Sequence, residues 1–250
     1  MATNVTSKQF AMLKGLERGE IHIWHARLEQ LNGTAQGMVL TLSPDERDRA
    51  NSFRFEQDRD RYAMSRGILR RLLGKYLDVS PGSLQFHYGL YGKPYVAEES
   101  LPQPIYFSVS HSCGLVLFGF SRDQEIGIDL ERIRMDFDFE NIAKALLPPG
   151  EFAKLFSLAH AARFAEFFRL WTRMEAWAKA RGIGMSLLDG AGTYSQRGED
   201  LVWRSVCIPS GEFSSWKIEE FSPEPHYVAS VASTFSASSL KHWKYPHSPQ

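Results

Sequence analysis

Apolar and polar positions alternate with a period of two in several short stretches and recur at helical spacing in several long ones, which predicts strands and helices in separate blocks. Ile21-His22-Ile23-Trp24-His25-Ala26 reads as a strand. Ser43-Pro44-Asp45-Glu46 reads as a helix start: Ser43 can cap, Pro44 suits the first helical position, and Glu46 can return the capping-box bond. The charged stretch that follows reads as helix to about Tyr76, broken near residues 53–56, with Leu69, Leu72, Leu73 and Tyr76 on its inner stripe. Short strands punctuated by turns are predicted at 84–88, 105–110, 115–120 and 126–131. Helices return across 139–147, 150–158 and 160–181, and four strands follow near 192–195, 201–206, 214–221 and 227–232. The tail after Ser236 reads as peripheral.

Helices then strands, twice over, predict an α+β chain of two halves, residues 1–115 and 116–250, meeting near residues 112–125. No sequence repeat demonstrates a duplication. The 250 residues are 43% hydrophobic, enough for a substantial core, and 29 basic against 29 acidic residues leave no general attraction to nucleic acid or membrane. Cys113 and Cys207 support neither a disulfide framework nor a metal site, which fits a reducing compartment. With no apolar run of membrane-spanning length and a polar start, the expectation is a soluble cytoplasmic protein.

Candidate chemistry begins at Ile126-Gly127-Ile128-Asp129-Leu130-Glu131. A strand puts the three apolar residues on one face and Gly127, Asp129 and Glu131 on the other, the carboxylates roughly 7 Å apart. Such a pair is either a solvated acidic edge or a site for a hard cation such as Mg²⁺; Gly127 is expected to leave that face open to an approaching group. On the helix over 160–181, Phe164, Phe168, Trp171 and Glu175 fall within about 60° of one another. Glu175 therefore lies in an aromatic stripe, with Arg169 and Arg173 pointing away. It serves either a salt bridge to Lys179 one turn on, or as a third cation ligand beside Asp129 and Glu131. Nine basic residues between Ser43 and Lys75, Arg49 among them, are interspersed with six acids, so most form a solvated face and the small excess suits a phosphate-rich small ligand. Gly92-Lys93-Pro94 and Ser110-His111-Ser112 are a hairpin corner and a polar strand end, or phosphate and base contacts when grouped with the rest. Nucleophile elbow, Walker loop, dinucleotide fingerprint and HExxH are all absent.

In this order the segments Gly92-Lys93-Pro94, Phe107-Ser108-Val109-Ser110-His111-Ser112, Gly127-Ile128-Asp129-Leu130-Glu131 and Trp171-Thr172-Arg173-Met174-Glu175-Ala176-Trp177-Ala178-Lys179, with Gly182 and Gly184 beyond, resemble the Sfp-type 4′-phosphopantetheinyl transferases. The resemblance spans roughly residues 20–232. It implies a pseudo-dimer of two α+β halves with coenzyme A in the cleft between them, most simply as a monomer. Asp129, Glu131 and Glu175 match the family's metal ligands for Mg²⁺, with Mn²⁺ as a substitute. Glu175 would also help deprotonate the serine of an apo carrier protein of fatty-acid, polyketide or non-ribosomal peptide type. Lys179 matches the lysine at the pyrophosphate. Ser110 and His111 match contacts to the adenosine end and its 3′-phosphate, Lys93 and Pro94 lie near the adenine, and Arg49 lies near the 3′-phosphate. The implied reaction is of the holo-acyl-carrier-protein synthase type, releasing 3′,5′-ADP. Met174 departs from the family, which has lysine there, and Ser108 stands where the family tends to carry Asn. The rivals are another Mg²⁺-dependent phosphate enzyme, a non-catalytic coenzyme A or nucleotide binder, and a nucleic-acid binder, which the mixed charges of the arginine-rich helix disfavour.

Overall fold

Strand β1 (Glu20–Arg27) forms where the alternation places it, and a short 3₁₀ turn (Leu28–Leu31) leads into α1 (Ala35–Val39). The structure is a computed structural model and describes residues 15–31, 35–96, 103–147, 149–183, 192–197, 200–205, 215–234 and 239–245. Helices α2 (Pro44–Asn51) and α3 (Glu56–Leu77) are separated at the predicted break. Glu46 performs its expected task, accepting the Ser43 N–H at 3.0 Å. It is also buried and takes Arg70 Nε at 2.6 Å and Arg66 Nε at 3.2 Å. Two arginines of the basic segment are therefore turned inward as structural partners, because a buried carboxylate needs them.

Hairpin β2 (Phe86–Tyr88) and β3 (Pro94–Val96) precedes β4 (Tyr106–Ser112), β5 (Leu115–Ser121) and β6 (Ile126–Arg132). Helices α4 (Glu140–Leu146), α5 (Pro149–Ser157) and α6 (His160–Arg181) follow, then β7 (Gly192–Arg197), β8 (Asp200–Ser205), β9 (Ser215–Phe221), β10 (Tyr227–Ser233) and β11 (Ser239–Lys244). One sheet has the order β11-β1-β5-β4 and a second the order β6-β10-β9-β8-β7. Within them β1-β5-β4 and β6-β10-β9 are the same antiparallel arrangement, and each is served by one 22-residue helix, α3 or α6. The fold is thus an α+β pseudo-dimer. Sheet membership changes between Ser121 and Ile126, one strand later than residue 115.

The C-terminal segment is not peripheral. Strand β11 pairs in parallel with β1, Trp243 stacks on Trp24 at 5.2 Å between centroids, and Lys241 bonds Glu20. It closes the edge of β1 that would otherwise expose unpaired main-chain groups.

One face of the first sheet packs Trp24, Phe107, Phe118 and Phe120 against Ile68, Leu72 and Tyr76 of α3. The opposite face brings Ile21, Ile23, Leu115 and Leu117 against Ile126, Ile128 and Leu130 of β6. The apolar face predicted for β6 is therefore the seam between the halves. Among the described residues no helix is long and apolar enough to cross a membrane.

Candidate active site

Strand β6 turns its other face to α6, and Gly127 explains how closely. A Cβ built there would lie 1.9 Å from the Ala176 carbonyl oxygen and 2.2 Å from the Ala180 nitrogen. The glycine was expected to leave room for an approaching group; that group is the helix itself. Alanines 176, 178 and 180 and a Thr172–Ser230 hydroxyl contact of 2.9 Å hold α6 flat on β6 and β10. Helix α6 ends at Gly182, whose φ of 64° requires little strain only in glycine. Gly184 lies outside the described residues.

This packing sets Glu175 and Lys179 over the acidic pair. Lys179 Nζ donates to Asp129 Oδ1 at 2.6 Å and to Ser110 Oγ at 3.1 Å. Its ammonium bonds across to the strand instead of closing the helical bridge to Glu175, because Asp129 is the more buried carboxylate and gains most from a charged partner. Asp129 Oδ2 is buried and makes no hydrogen bond among the described residues. Glu131 and Glu175 are half-buried. Burial pushes the Glu131 carboxyl above the usual range, the Ser112 bond opposes this, and the charge of Asp129 reinforces it. Burial likewise raises Glu175, against Lys179 and with repulsion from Asp129 and Glu131. The three carboxylates thus act on one another, as a cation site demands. As the side chains stand, no group of three or more His, Cys, Asp or Glu among the described residues is close enough to enclose a metal ion. The compensating charge bonded to Asp129 is Lys179.

The other predicted residues are distributed around this cluster. Ser110 is buried beside Asp129, but strand alternation turns His111 to the opposite face of β4, where it is exposed. Lys93 Nζ spends its donors on Glu125 at 2.5 Å, the Ile126 carbonyl at 3.2 Å and the Ala180 carbonyl at 3.0 Å. It clamps the β2–β3 hairpin onto β6 and α6. Pro94 opens β3 and, with Lys93, walls a cavity of about 230 Å³ that reaches Tyr91, Ser108 and Lys179. A larger cavity of about 490 Å³ shares Lys93, Pro94, Phe107 and Gly182 with it and is lined also by Tyr95, Tyr106 and Trp216. The smaller one touches the acidic cluster through Lys179. Arg49 is exposed on α2 with its guanidinium over the Phe53 ring at 5.8 Å. Met174 is buried with Trp177 and Trp216, and Arg173 pairs with Glu220 of β9.

Sequence reasoning read Ser112 as part of a polar strand end or a phosphate contact, whereas it donates to Glu131 Oε2 at 2.8 Å, and it passed over Glu125, the partner of Lys93. The signal for Ser112 was present: serines at 108, 110 and 112 share the two-residue period of the acids they face.

Comparison with known proteins follows the same division. A family profile described as the 4′-phosphopantetheinyl transferase superfamily matches residues 125–232, and one described as 4′-phosphopantetheinyl transferase, N-terminal, matches residues 24–120. The chain is 35% identical over 226 residues to the 4′-phosphopantetheinyl transferase HetI of Nostoc, covering 90% of this chain and 92% of that protein. It is 34% identical over 182 residues to a putative 4′-phosphopantetheinyl transferase of Synechocystis, covering 73% and 72% of the two chains. Against the 4′-phosphopantetheinyl transferase Sfp of Bacillus subtilis it is 28% identical over 191 residues, covering 76% and 81%. The family moves the phosphopantetheine arm of coenzyme A to a carrier-protein serine and is generally metal-dependent. With matching order of motifs, matching halves and near full-length similarity, the chain belongs to the 4′-phosphopantetheinyl transferase superfamily.

Proposed function

We propose that this chain is a Mg²⁺-dependent transferase of the holo-acyl-carrier-protein synthase kind, with Mn²⁺ as a working substitute. It loads apo carriers of fatty-acid, polyketide or non-ribosomal peptide synthesis and acts as a monomer, its two halves divided at the passage between the sheets. The observation that carries this is the buried, unbonded Asp129 Oδ2 beside two carboxylates raised by burial and mutual repulsion. Oxygen-only donors, three carboxylates against the one ammonium of Lys179, fit a hard divalent cation. Asp129, Glu131 and Glu175 would hold it. When bound, it neutralises charge developing on the pyrophosphate.

The protein's own groups supply the rest. Glu175, half-buried on α6 beside the acidic pair, would take the proton of the attacking serine hydroxyl. Lys179, one-third exposed, can turn from Asp129 to the leaving 3′,5′-ADP, where its charge acts in a partly desolvated site. The pocket beside Lys93 and Pro94 would receive the adenine end, Ser110 and His111 would contribute from neighbouring positions of β4, and Arg49 would answer the 3′-phosphate from α2. The test is direct. Purified protein, coenzyme A, Mg²⁺ and apo carriers of the three kinds should yield a carrier heavier by one phosphopantetheine, with 3′,5′-ADP released. Chelation should stop the reaction and added Mg²⁺ restore it. No mass shift with any carrier refutes the reading.

A further inference from the structure

Strand β6 is the edge of the second sheet, so the N–H groups facing away from β10 have no strand to bond. Three serines of β4 take that place. The Ile128 N–H donates to Ser108 Oγ at 3.1 Å, the Leu130 N–H to Ser110 Oγ at 3.2 Å, and the Arg132 N–H to Ser112 Oγ at 3.1 Å. Side chains thus join the two half-sheets where main-chain carbonyls would join an ordinary ladder.

A serine hydroxyl has one proton to give and two lone pairs. Ser110 gives its proton to Asp129 Oδ1 at 2.8 Å, and Ser112 gives its proton to Glu131 Oε2 at 2.8 Å. Each hydroxyl is therefore anchored to the main chain just after a carboxylate and grips that carboxylate at one oxygen. For Ser110 the inventory is complete, since its remaining lone pair takes the Lys179 ammonium. In this arrangement its proton is given to Asp129.

We propose that Ser110 and Ser112 are positioning residues, through which strand β4 of the first half sets the direction of two carboxylates carried by the second. One oxygen of each carboxylate is fixed against β4, on Asp129 the same oxygen that takes the Lys179 ammonium, and the second oxygen of each is not held by β4. The halves must be joined correctly for the two acids to be aimed. This rests on the reading of Asp129 and Glu131 as cation ligands.

Ser112 offers the cleaner test, since Lys179 does not touch it. Mn²⁺ is titrated into the protein–coenzyme A complex and read by water-proton relaxation, for wild type, Ser112→Ala, Ser112→Thr, Glu131→Gln and the Ser112→Ala/Glu131→Gln pair. Ser112→Ala should weaken Mn²⁺ binding about tenfold, as the loss of a bond that orients a ligand does. Ser112→Thr, which keeps the hydroxyl, should recover it, and the Ser112 effect should vanish in the Glu131→Gln background. Urea unfolding of the same proteins reports folding separately. Equal weakening in both backgrounds, or Mn²⁺ affinity unchanged in Ser112→Ala, overturns the proposal. If Glu131→Gln alone binds Mn²⁺ as wild type does, the ligand reading fails, and the positioning role falls with it.

Discussion

Replacing Gly127 by alanine adds one methyl group at the closest approach between strand β6 and helix α6. Its Cβ would stand 1.9 Å from the Ala176 oxygen, 2.2 Å from the Ala180 nitrogen and 2.8 Å from the Ala180 Cα. The shortest of these falls roughly 1.5 Å below ordinary non-bonded contact. Both obstacles are main chain of a 22-residue helix, so no rotamer change relieves them and α6 must move. Overpacking costs about 1–3 kcal/mol, and a rigid obstacle places this case at about 3 kcal/mol. The reduced freedom of the unfolded chain returns about 0.4–1 kcal/mol of that. A net loss of about 2 kcal/mol is expected, read as a lower urea midpoint at unchanged m-value. The same shift lifts Glu175 and Lys179 from their stations over Asp129, where Lys179 Nζ now lies 2.6 Å from Oδ1. Misplacement of about 1 Å costs on the order of a hundredfold in rate, so transfer to an apo carrier should fall by that factor where the variant is still folded. Gly119→Ala is the control: its Cβ would meet the Ile126 Cδ1 at 3.2 Å, a side-chain end that can turn aside. A Gly127→Ala protein with wild-type midpoint and transfer rate within threefold would refute the packing argument.

Glu175→Gln should reduce transfer by about a hundredfold or more while leaving the urea midpoint equal or higher, since it removes a half-buried charge repelled by Asp129 and Glu131; normal turnover would refute Glu175 as base and ligand. His22 is buried, and burial, opposed by its bond to Glu20, lowers its pKa to about 4. A lowered histidine value means the neutral ring contributes stability that is full above about pH 6.5 and lost as pH falls towards 4, about 3 kcal/mol in all. The neutral ring takes the Tyr76 hydroxyl proton at Nδ1 (2.8 Å) and gives its own at Nε2 to Glu20 (3.1 Å), so urea midpoints from pH 7 to 4.5 should slope for wild type and flatten for His22→Gln. Equal slopes would exclude His22 as the cause. Met174→Lys restores the residue type of the family but buries its stem against Trp177 and Trp216, and should lower stability by about 2 kcal/mol or more; an unchanged midpoint would show that the position opens to solvent.

Much of the frame was legible along the chain because it depends on local period. The alternation of β6 needed only the geometry of one strand to separate Ile126, Ile128 and Leu130 from Asp129 and Glu131. The start of α2 at Pro44, the break before α3 and the stop of α6 at Gly182 are likewise local chemistry of caps and dihedrals. The candidate acids and Lys179 could be named from one strand and one helix face.

Tertiary structure decided what these groups face, since that depends on which distant segments meet and in what register. Gly127 admits a helix rather than a ligand because α6 crosses it at Ala176 and Ala180, which no property of the strand reveals. Lys179 bonds Asp129, fifty residues away in sequence, in place of Glu175 one turn back. Lys93 became a clamp because three acceptors, from the loop before β6, from β6 and from α6, converge on it. The C-terminal strand joined β1, some two hundred residues earlier, because only the folded sheet has an open edge in reach. Sequence determined which side chains could do chemistry; the meeting of two half-sheets through Ser108, Ser110 and Ser112 decided where they point, because a hydroxyl's direction is set by partners on the other strand.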